Sequence, residues 1–462
     1  MLTRSSEIAC VLLSMTLATC AKRPFTPARE ASEASQVQAD ESGAPSESEE
    51  RAARKEYPTE TLYQLWRSSL KDRTAAARFV SSLSERHIIE PIAEDPDHVL
   101  VTYFMLGSSK TAFVLQGGGP DFYGLRFKRL GQTDLYYCTQ KIPSDAMFIY
   151  GFNEFTIEAA GDSRVAATTM EHVYDAALVA PQAPLSPYVE ASPEVAAGEV
   201  VRFELPSKYL NESRSVLVYT PANYREDVAC NIVFFFDGMS HAAKPNHGAA
   251  WEGWTPAPTI LDNLIAEQRI APTIAIMVLS EDDRDRFLIS DQMTDFVALE
   301  LLPWVREHYK TTPDPTNVIV SGLSRGGFAA ANTARRHPNR IGGVLSQSGS
   351  FWITADPEEN WPIYPKRDGK VILDYKASPR LPIRFYLSAG LYDLGAGIVG
   401  TNRQLRDILE LKGYEVEHRE YNGGHAFLNW RHDLANGLIS LLGEPRPPNT
   451  APGLSPAVSA GP

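Results

Sequence analysis

The sequence predicts an α/β protein in which a mostly parallel sheet follows a smaller all-β domain. In residues 195–445, short apolar runs alternate with longer stretches that have the apolar spacing of amphipathic helices. This alternation is typical of a parallel sheet covered by helices on both faces. In residues 57–180, short strand-like runs follow one another with turn residues between them, which indicates a small β-sandwich. A chain of 462 residues can hold both domains.

The predicted β-sandwich begins with a helical stretch at residues 61–85. Its predicted strands are residues 99–106, 111–115, 125–130 and 147–152. A proline-rich bridge at residues 181–193 then leads to the second domain.

The second domain repeats a strand and a helix several times. Its predicted strands are residues 232–236, 273–279, 318–321, 344–346, 384–387 and 415–421. Its predicted helices are residues 259–269, 294–309 and 328–336. Because most of these strands are apolar along their length, we expect them to be buried on both faces.

The first twenty residues have the features of an export signal. Arg4 provides a short positive region, and residues 8–18 form an apolar stretch too short to span a bilayer. The stretch ends in Leu17-Ala18-Thr19-Cys20, which looks like a bacterial lipobox with Cys20 as the lipidated residue. The alternative is an ordinary secretory signal with a chance cysteine. Both interpretations predict that the mature protein leaves the cytoplasm.

Two segments have the composition of disordered chain. Residues 21–56 are rich in Ala, Glu, Ser and Pro, and residues 446–462 are rich in Pro and Ala. We expect the first to be a tether and the second a tail. With lipid on Cys20, this organisation predicts a protein anchored to the cell envelope and facing the periplasm. The membrane would be contacted only through that lipid.

Composition and charge narrow the classes of function. Hydrophobic residues make up 43% and charged residues 22% of the chain, as in ordinary globular proteins. The net charge of −13 argues against nucleic-acid binding, which needs a basic surface. Cys138 and Cys230 would remain after export, either as a disulfide or as buried thiols. No CxxC or Cys/His cluster suggests a metal, and we expect no cofactor.

The clearest motif is Gly322-Leu323-Ser324-Arg325-Gly326, between a predicted strand and a predicted helix. This arrangement is typical of the nucleophile elbow of α/β-hydrolases. The glycines permit a tight turn, and the serine is held in a strained conformation with its hydroxyl above the sheet. The sequence therefore predicts Ser324 as a nucleophile.

A serine nucleophile needs a base, and in α/β-hydrolases the base comes late in the chain, after the acid. His425 lies in a Gly-Gly-His loop just past a predicted strand, and His432 is the weaker competitor. Among the candidate acids, Asp393 follows a buried strand directly and would orient the imidazole. The other candidates are Asp356, Asp368, Asp374 and Asp407.

Acyl transfer also needs two backbone N–H groups directed at the oxyanion. One should belong to Arg325, the residue after the nucleophile. The loop Phe236-Asp237-Gly238-Met239 follows an early strand, and we assign the second donor to Met239. Asp237 itself is interpreted as a turn residue.

These segments together resemble the enterochelin (enterobactin) esterase family, hydrolases that open trilactone siderophores. The similarity covers nearly the whole mature chain. It is carried by residues 130–134, 236–238, 321–327, 344–352 and 423–431, and by the segment around Arg286. The resemblance implies an immunoglobulin-like front domain and a ferric catecholate ester such as enterobactin as substrate. The sequence departs from the family pattern at Ala426 and Ile289, where acidic residues are common.

Two other functions compete with a siderophore esterase. Feruloyl and acetyl-xylan esterases share the fold, so esters of polysaccharides are an alternative substrate. A non-catalytic binding lipoprotein is disfavoured because Ser324, His425 and a suitable acid are all present.

A highly anionic substrate would need cations near the nucleophile. Arg286, Arg325 and Arg431 lie in segments that should converge there. Arginine donates several hydrogen bonds and stacks on aromatic rings. Trp352 and Trp430 would supply apolar walls. We therefore predict these five residues as the substrate-binding set, with a small-molecule ester as the partner.

Overall fold

The structure is a computed structural model that describes residues 45–117, 119–120, 124–160, 164–242, 254–280, 283–356 and 365–443. Its contacts divide the chain into two compact units. The first includes the described residues of Met1–Gly117, Asp121–Ile142 and Tyr150–Ala176, and the second includes those of Gly118–Pro120, Pro143–Ile149 and Ala177–Pro462. The predicted signal segment with Cys20 and the predicted tail 446–462 lie outside the described residues.

Three helices open the first unit. Residues predicted as the end of the tether instead form α1 (Glu47–Glu56), which begins with a capping box between Ser46 and Glu49. The predicted helix 61–85 is divided into α2 (Glu60–Lys71) and α3 (Ala75–Ser82). The division falls at Asp72, whose carboxylate accepts hydrogen bonds from the backbone N–H and the hydroxyl of Thr74. Such local bonds compete with helix continuation.

Two four-stranded sheets follow the helices, in the orders β1-β2-β6-β5 and β4-β3-β7-β8. The strands are β1 (His87–Pro91), β2 (His98–Leu106), β3 (Thr111–Gly117), β4 (Leu125–Arg126), β5 (Lys128–Arg129), β6 (Leu135–Pro143), β7 (Met147–Ala160) and β8 (Arg164–Val179). The pairs β1–β2, β3–β4, β3–β7 and β5–β6 are antiparallel. The prediction of an N-terminal all-β region is confirmed, although it omitted β1, β6 and β8 and joined β4 to β5.

The second unit contains an eight-stranded sheet in the order β16-β15-β14-β13-β11-β12-β10-β9. Its strands are β9 (Glu199–Ser207), β10 (Glu212–Thr220), β11 (Asn231–Phe236), β12 (Thr273–Val278), β13 (Val318–Leu323), β14 (Gly343–Gln347), β15 (Arg384–Gly390) and β16 (Glu415–Tyr421). The strands from β11 to β16 are parallel to one another, whereas β10 pairs antiparallel with both β12 and β9. The predicted parallel α/β sheet is confirmed, but the prediction omitted β9 and β10.

Helices pack on this sheet, and alternate residues of a strand belong to separate apolar clusters. Val318 and Val320 of β13 lie in one core, and Ile319 between them lies in the other. The helices are α4 (Gly238–Ala242), α5 (Ala257–Ala266), α6 (Arg284–Ile289), α7 (Asp291–Asp295), α8 (Leu302–His308), α9 (Arg325–Arg336), α10 (Lys370–Ala377), α11 (Thr401–Leu411) and α12 (Phe427–Leu442). The predicted helix 294–309 contains a π-helical segment, Phe296–Leu301.

The sheet brings several chain segments to one edge. Because the strands from β11 to β16 are parallel, the residues that follow them all lie at the same end of the sheet. Those residues include Asp237, Ser324, Asp393 and His425. Within the described part of the chain, we find no helix with the length and apolar character needed to cross a membrane.

Candidate active site

The predicted nucleophile lies in the tight turn between β13 and α9. Ser324 has a φ of 56°, in the left-handed region that side chains seldom occupy. The turn depends on glycine: a Cβ on Gly322 would lie 2.3 Å from the backbone carbon of Gly326, and one on Gly327 would lie 2.3 Å from the Ser346 hydroxyl. This is the geometry of a nucleophile elbow.

The predicted base lies in the loop between β16 and α12. Asn429 fixes this loop by accepting a hydrogen bond from the Gly424 N–H at 3.2 Å and donating one to the Met147 carbonyl at 2.7 Å. His425 Nε2 lies 3.0 Å from Ser324 Oγ. The imidazole is thus within hydrogen-bond reach of the hydroxyl whose proton it would accept.

Asp393 follows β15 and contacts the opposite side of this imidazole. Its Oδ1 lies 2.7 Å from His425 Nδ1 and accepts a second hydrogen bond, also of 2.7 Å, from the Leu394 N–H. The carboxylate side chain is fully buried. Three of the other candidate acids instead form ion pairs: Asp368 with Lys376, Asp374 with Lys370 and Arg335, and Asp407 with Arg406. His432 accepts a hydrogen bond from the Ser186 N–H.

The two predicted tryptophan walls are buried. Trp430 presents its ring at 86° to the His425 ring, with 4.8 Å between the centroids, and donates a 3.0 Å hydrogen bond to Ser348 Oγ. It therefore supports the imidazole. Trp352 is 7% exposed and lies in the larger core of the sheet. Neither observation supports the direct substrate contact that we predicted from the sequence.

The predicted arginines have three different environments. Arg325 forms an ion pair with Asp285. Arg286 pairs with Asp283 at 2.8 Å, and its side chain is 86% exposed. Arg431 is 6% exposed, and its guanidinium carbon lies 5.6 Å from the centroid of the Trp254 ring. Burial lowers the pKa of Arg431 to about 10. Arg286 is the most accessible of the three for a substrate.

The loop that contains Asp237, predicted to supply an oxyanion donor, forms an ion pair that the sequence does not predict. Asp237 has a φ of 57° and accepts two hydrogen bonds from Arg284, at 2.7 and 2.6 Å, and one from Ser280. Burial opposes the charge on Arg284, but pairing with Asp237 outweighs it and raises the pKa of Arg284. Met239 lies two residues after Asp237 in α4 and is 53% exposed. The assignment of Met239 and Arg325 as oxyanion donors stays a prediction.

A second hydroxyl near the nucleophile was also missed. Ser350 Oγ lies 3.2 Å from Ser324 Oγ, and Ser350 is 1% exposed. In the sequence, this residue belongs to the segment 344–352 that carries part of the family resemblance. A small polar residue shortly after a strand gives no sequence signal of such a contact.

Comparison with known proteins identifies the family. A family model described as putative esterase matches residues 207–441, about half of the chain. The chain belongs to this family. The iron(III) enterobactin esterase of Escherichia coli is 28% identical over 273 residues, which cover 57% of this chain and 62% of the relative. The chain thus spans less than two thirds of the length of that relative.

A solved structure of similar fold is the enterobactin esterase of Shigella flexneri, determined in the presence of enterobactin. It has a TM-score of 0.60 and 21% identity, and the match covers 79% of this chain and 97% of that one. The α/β-hydrolase fold is thereby confirmed. An endo-1,4-beta-xylanase/feruloyl esterase of Xylanibacter ruminicola is 28% identical over 199 residues, which cover 42% of this chain and 24% of the relative.

Proposed function

We propose that this member of the putative esterase family is a serine carboxylic ester hydrolase. The observation that carries the proposal is the continuous contact from Ser324 Oγ to His425 Nε2 at 3.0 Å and from His425 Nδ1 to Asp393 at 2.7 Å. This order of nucleophile, base and buried carboxylate is what acyl transfer by serine requires.

In the proposed reaction, Ser324 Oγ attacks the ester carbonyl carbon while its proton passes to His425 Nε2. Asp393 stabilises the resulting imidazolium without taking its proton. The carbonyl electron pair moves onto oxygen, where the backbone N–H groups of Arg325 and Met239 would bind it. The imidazolium then protonates the leaving alcohol, and water releases the acyl group by the same steps.

A fluorophosphonate probe tests this chemistry. It should label the purified protein at Ser324, as located by peptide mass, and Ser324→Ala should remain unlabelled. An unlabelled wild-type protein would contradict the esterase proposal.

We further propose a catecholate siderophore ester, such as ferric enterobactin, as the substrate. Support comes from the enterobactin esterases among the similar proteins and from an exposed arginine, Arg286, on α6. The alternative, a hydroxycinnamoyl or acetyl ester of a polysaccharide, is supported by the Xylanibacter relative. Incubation with ferric enterobactin and with methyl ferulate, followed by mass analysis of the products, separates the two. Exclusive release of ferulate would favour the alternative.

We also propose that the protein is exported and anchored to a membrane by lipid on Cys20. The support is the lipobox-like sequence that ends at this residue. Cys20→Ser should move the protein from the membrane to the soluble fraction of a Gram-negative host. Retention of the variant on the membrane would place the anchor elsewhere.

A further inference from the structure

Ser350 lies beside the nucleophile in a segment held by several bonds. Its backbone N–H donates a 2.9 Å hydrogen bond to the Ser324 carbonyl. The adjacent Gly349 carbonyl accepts a 2.8 Å bond from the buried Asn402 side chain. These contacts fix the Ser350 hydroxyl 3.2 Å from Ser324 Oγ, where it is almost fully shielded from solvent.

The available protons decide which serine donates in this contact. An imidazole ready to act as a base carries its proton on Nδ1, toward Asp393, and accepts at Nε2. Ser324 has one hydroxyl proton, and in this state that proton points to His425. The contact between the two serines can then be a hydrogen bond only if Ser350 donates to Ser324 Oγ.

We propose that Ser350 is a further catalytic residue, which donates a hydrogen bond to the attacking oxygen of Ser324. This inference rests on the proposed function. As the proton of Ser324 moves to His425 Nε2, Oγ carries partial negative charge until its electron pair forms the bond to the carbonyl carbon and the displaced pair moves onto the carbonyl oxygen. Ser350 keeps its own proton throughout.

The bond from Ser350 is strongest when Oγ is most negative. Hydrogen bonds to charged groups contribute more than those between neutral groups, and burial increases the effect. An interaction that strengthens in the transition state raises kcat, whereas one that is equal for substrate and transition state lowers only KM. Ser350 contacts the reacting oxygen, so its removal should affect kcat and leave KM nearly unchanged.

Ser350→Ala tests the inference with p-nitrophenyl butyrate as substrate. We expect kcat to fall by about tenfold to a hundredfold, with KM changed less than about twofold. The rate constant for fluorophosphonate labelling should fall by a similar factor. Ser350→Cys retains the bulk of the side chain but offers only a weak donor, so it should lose nearly as much kcat as the alanine variant.

Ser346→Ala is the matched control. Ser346 is fully buried near the same turn, and among the described residues its hydroxyl has no hydrogen-bond partner. This variant should keep its kcat, and all three variants should melt within a few degrees of the wild type. Unchanged kcat in Ser350→Cys, or an equal loss in Ser346→Ala, would overturn the role of Ser350.

The labelling experiment also separates this inference from the esterase proposal. If the wild type is not labelled at Ser324, the esterase proposal fails. If the wild type is labelled and Ser350→Ala reacts at the same rate, only the role of Ser350 fails.

Discussion

The proposed catalytic residues and the proposed cationic residues occupy different parts of the second unit. Ser324, Asp393 and His425 follow three strands of one sheet, and contacts of 3.0 and 2.7 Å join them. Arg286, Arg325 and Arg431 lie instead on helices α6, α9 and α12. Exposure of these arginines runs from 86% for the Arg286 side chain to 6% for Arg431.

This difference shows that the sheet determines the distances between the catalytic residues, whereas local packing determines where the arginine side chains lie. The register of parallel strands sets the distances between residues at their carboxyl ends, so the catalytic contacts depend on backbone pairing. An arginine on a helix can extend toward a site, pair with a neighbouring carboxylate or be covered by an aromatic ring. The helix orientation and the nearest side chains decide among these outcomes. Mutations should therefore affect the two groups differently.

The largest effect should come from the strand-end residues. Ser324→Ala and His425→Ala should each lower kcat by a thousandfold or more, because the attacking atom or its base is lost. The double variant should lose little more than either single variant, since the two residues act as one unit. Steady-state kinetics with p-nitrophenyl butyrate measures all three. Fully additive losses would show that the two residues act separately.

Asp393→Asn should cost about one to two orders of magnitude less than Ser324→Ala. The asparagine can still contact the imidazole but cannot stabilise its positive charge. Asp368→Asn is the matched control, because Asp368 pairs with Lys376 and should have no effect on kcat. An unaffected Asp393→Asn would show that Ser324 and His425 act as a dyad.

Arg286→Ala should have a smaller and selective effect. It should raise the KM for ferric enterobactin severalfold and leave the KM for a small neutral ester unchanged, and the difference should shrink as salt rises. Arg225→Ala removes another exposed arginine, paired with Asp227 in the loop before β11, and should change neither KM. Equal losses on both substrates would favour the polysaccharide-ester alternative.

The last effect is on stability and not on catalysis, and it concerns a buried histidine outside the catalytic contacts. His241 stacks on Phe235, and burial lowers its pKa to about 4. Below the ordinary histidine pKa of about 6.5, the unfolded chain binds a proton that the folded protein does not. The free energy of unfolding should therefore fall as the pH drops from about 6.5 toward 4, by up to about 3 kcal/mol from this residue.

Urea unfolding at several pH values measures this dependence. His241→Gln should make the curve less steep between about pH 6.5 and 4, since the variant lacks one of the groups that titrate there. The same change at His308, an exposed residue of α8, is the control and should leave the curve as it is in the wild type. An unaltered curve in His241→Gln would assign the acid sensitivity to other groups.

The sequence predicted site residues best where a short motif lies directly beside a predicted strand or helix. A strand, a glycine-flanked serine and a helix predicted the elbow at Ser324, and a loop after a late strand predicted the position of His425. The pairing of Arg284 with Asp237 and the contact of Ser350 with Ser324 join segments 47 and 26 residues apart. Neither pair has a periodicity or motif that predicts proximity, because the approach depends on how helix α6 and the segment after β14 pack in the folded protein.

The prediction of Trp352 and Trp430 as walls of the substrate site also depended on packing that the sequence does not show. From sequence alone, a tryptophan near a catalytic loop can be either a wall of the substrate site or a residue of the packed core. The choice depends on burial: Trp430 is nearly fully buried, and its N–H donates a hydrogen bond to Ser348. Strands β9 and β10 were missed for a related reason. Charged residues interrupt both strands, at Glu199, Arg202 and Glu204 in β9 and at Glu212 and Arg214 in β10, so neither is a continuous apolar run.

Three residues around the nucleophile, Asp237, Ser324 and Ser348, hold φ values of 57°, 56° and 53° without being glycine. Each conformation costs folding free energy that only glycine would avoid. A lineage no longer selected for turnover would be expected to replace Ser324 with glycine and gain stability on the order of 1 kcal/mol. In such a lineage, a rise in melting temperature would accompany the loss of catalysis.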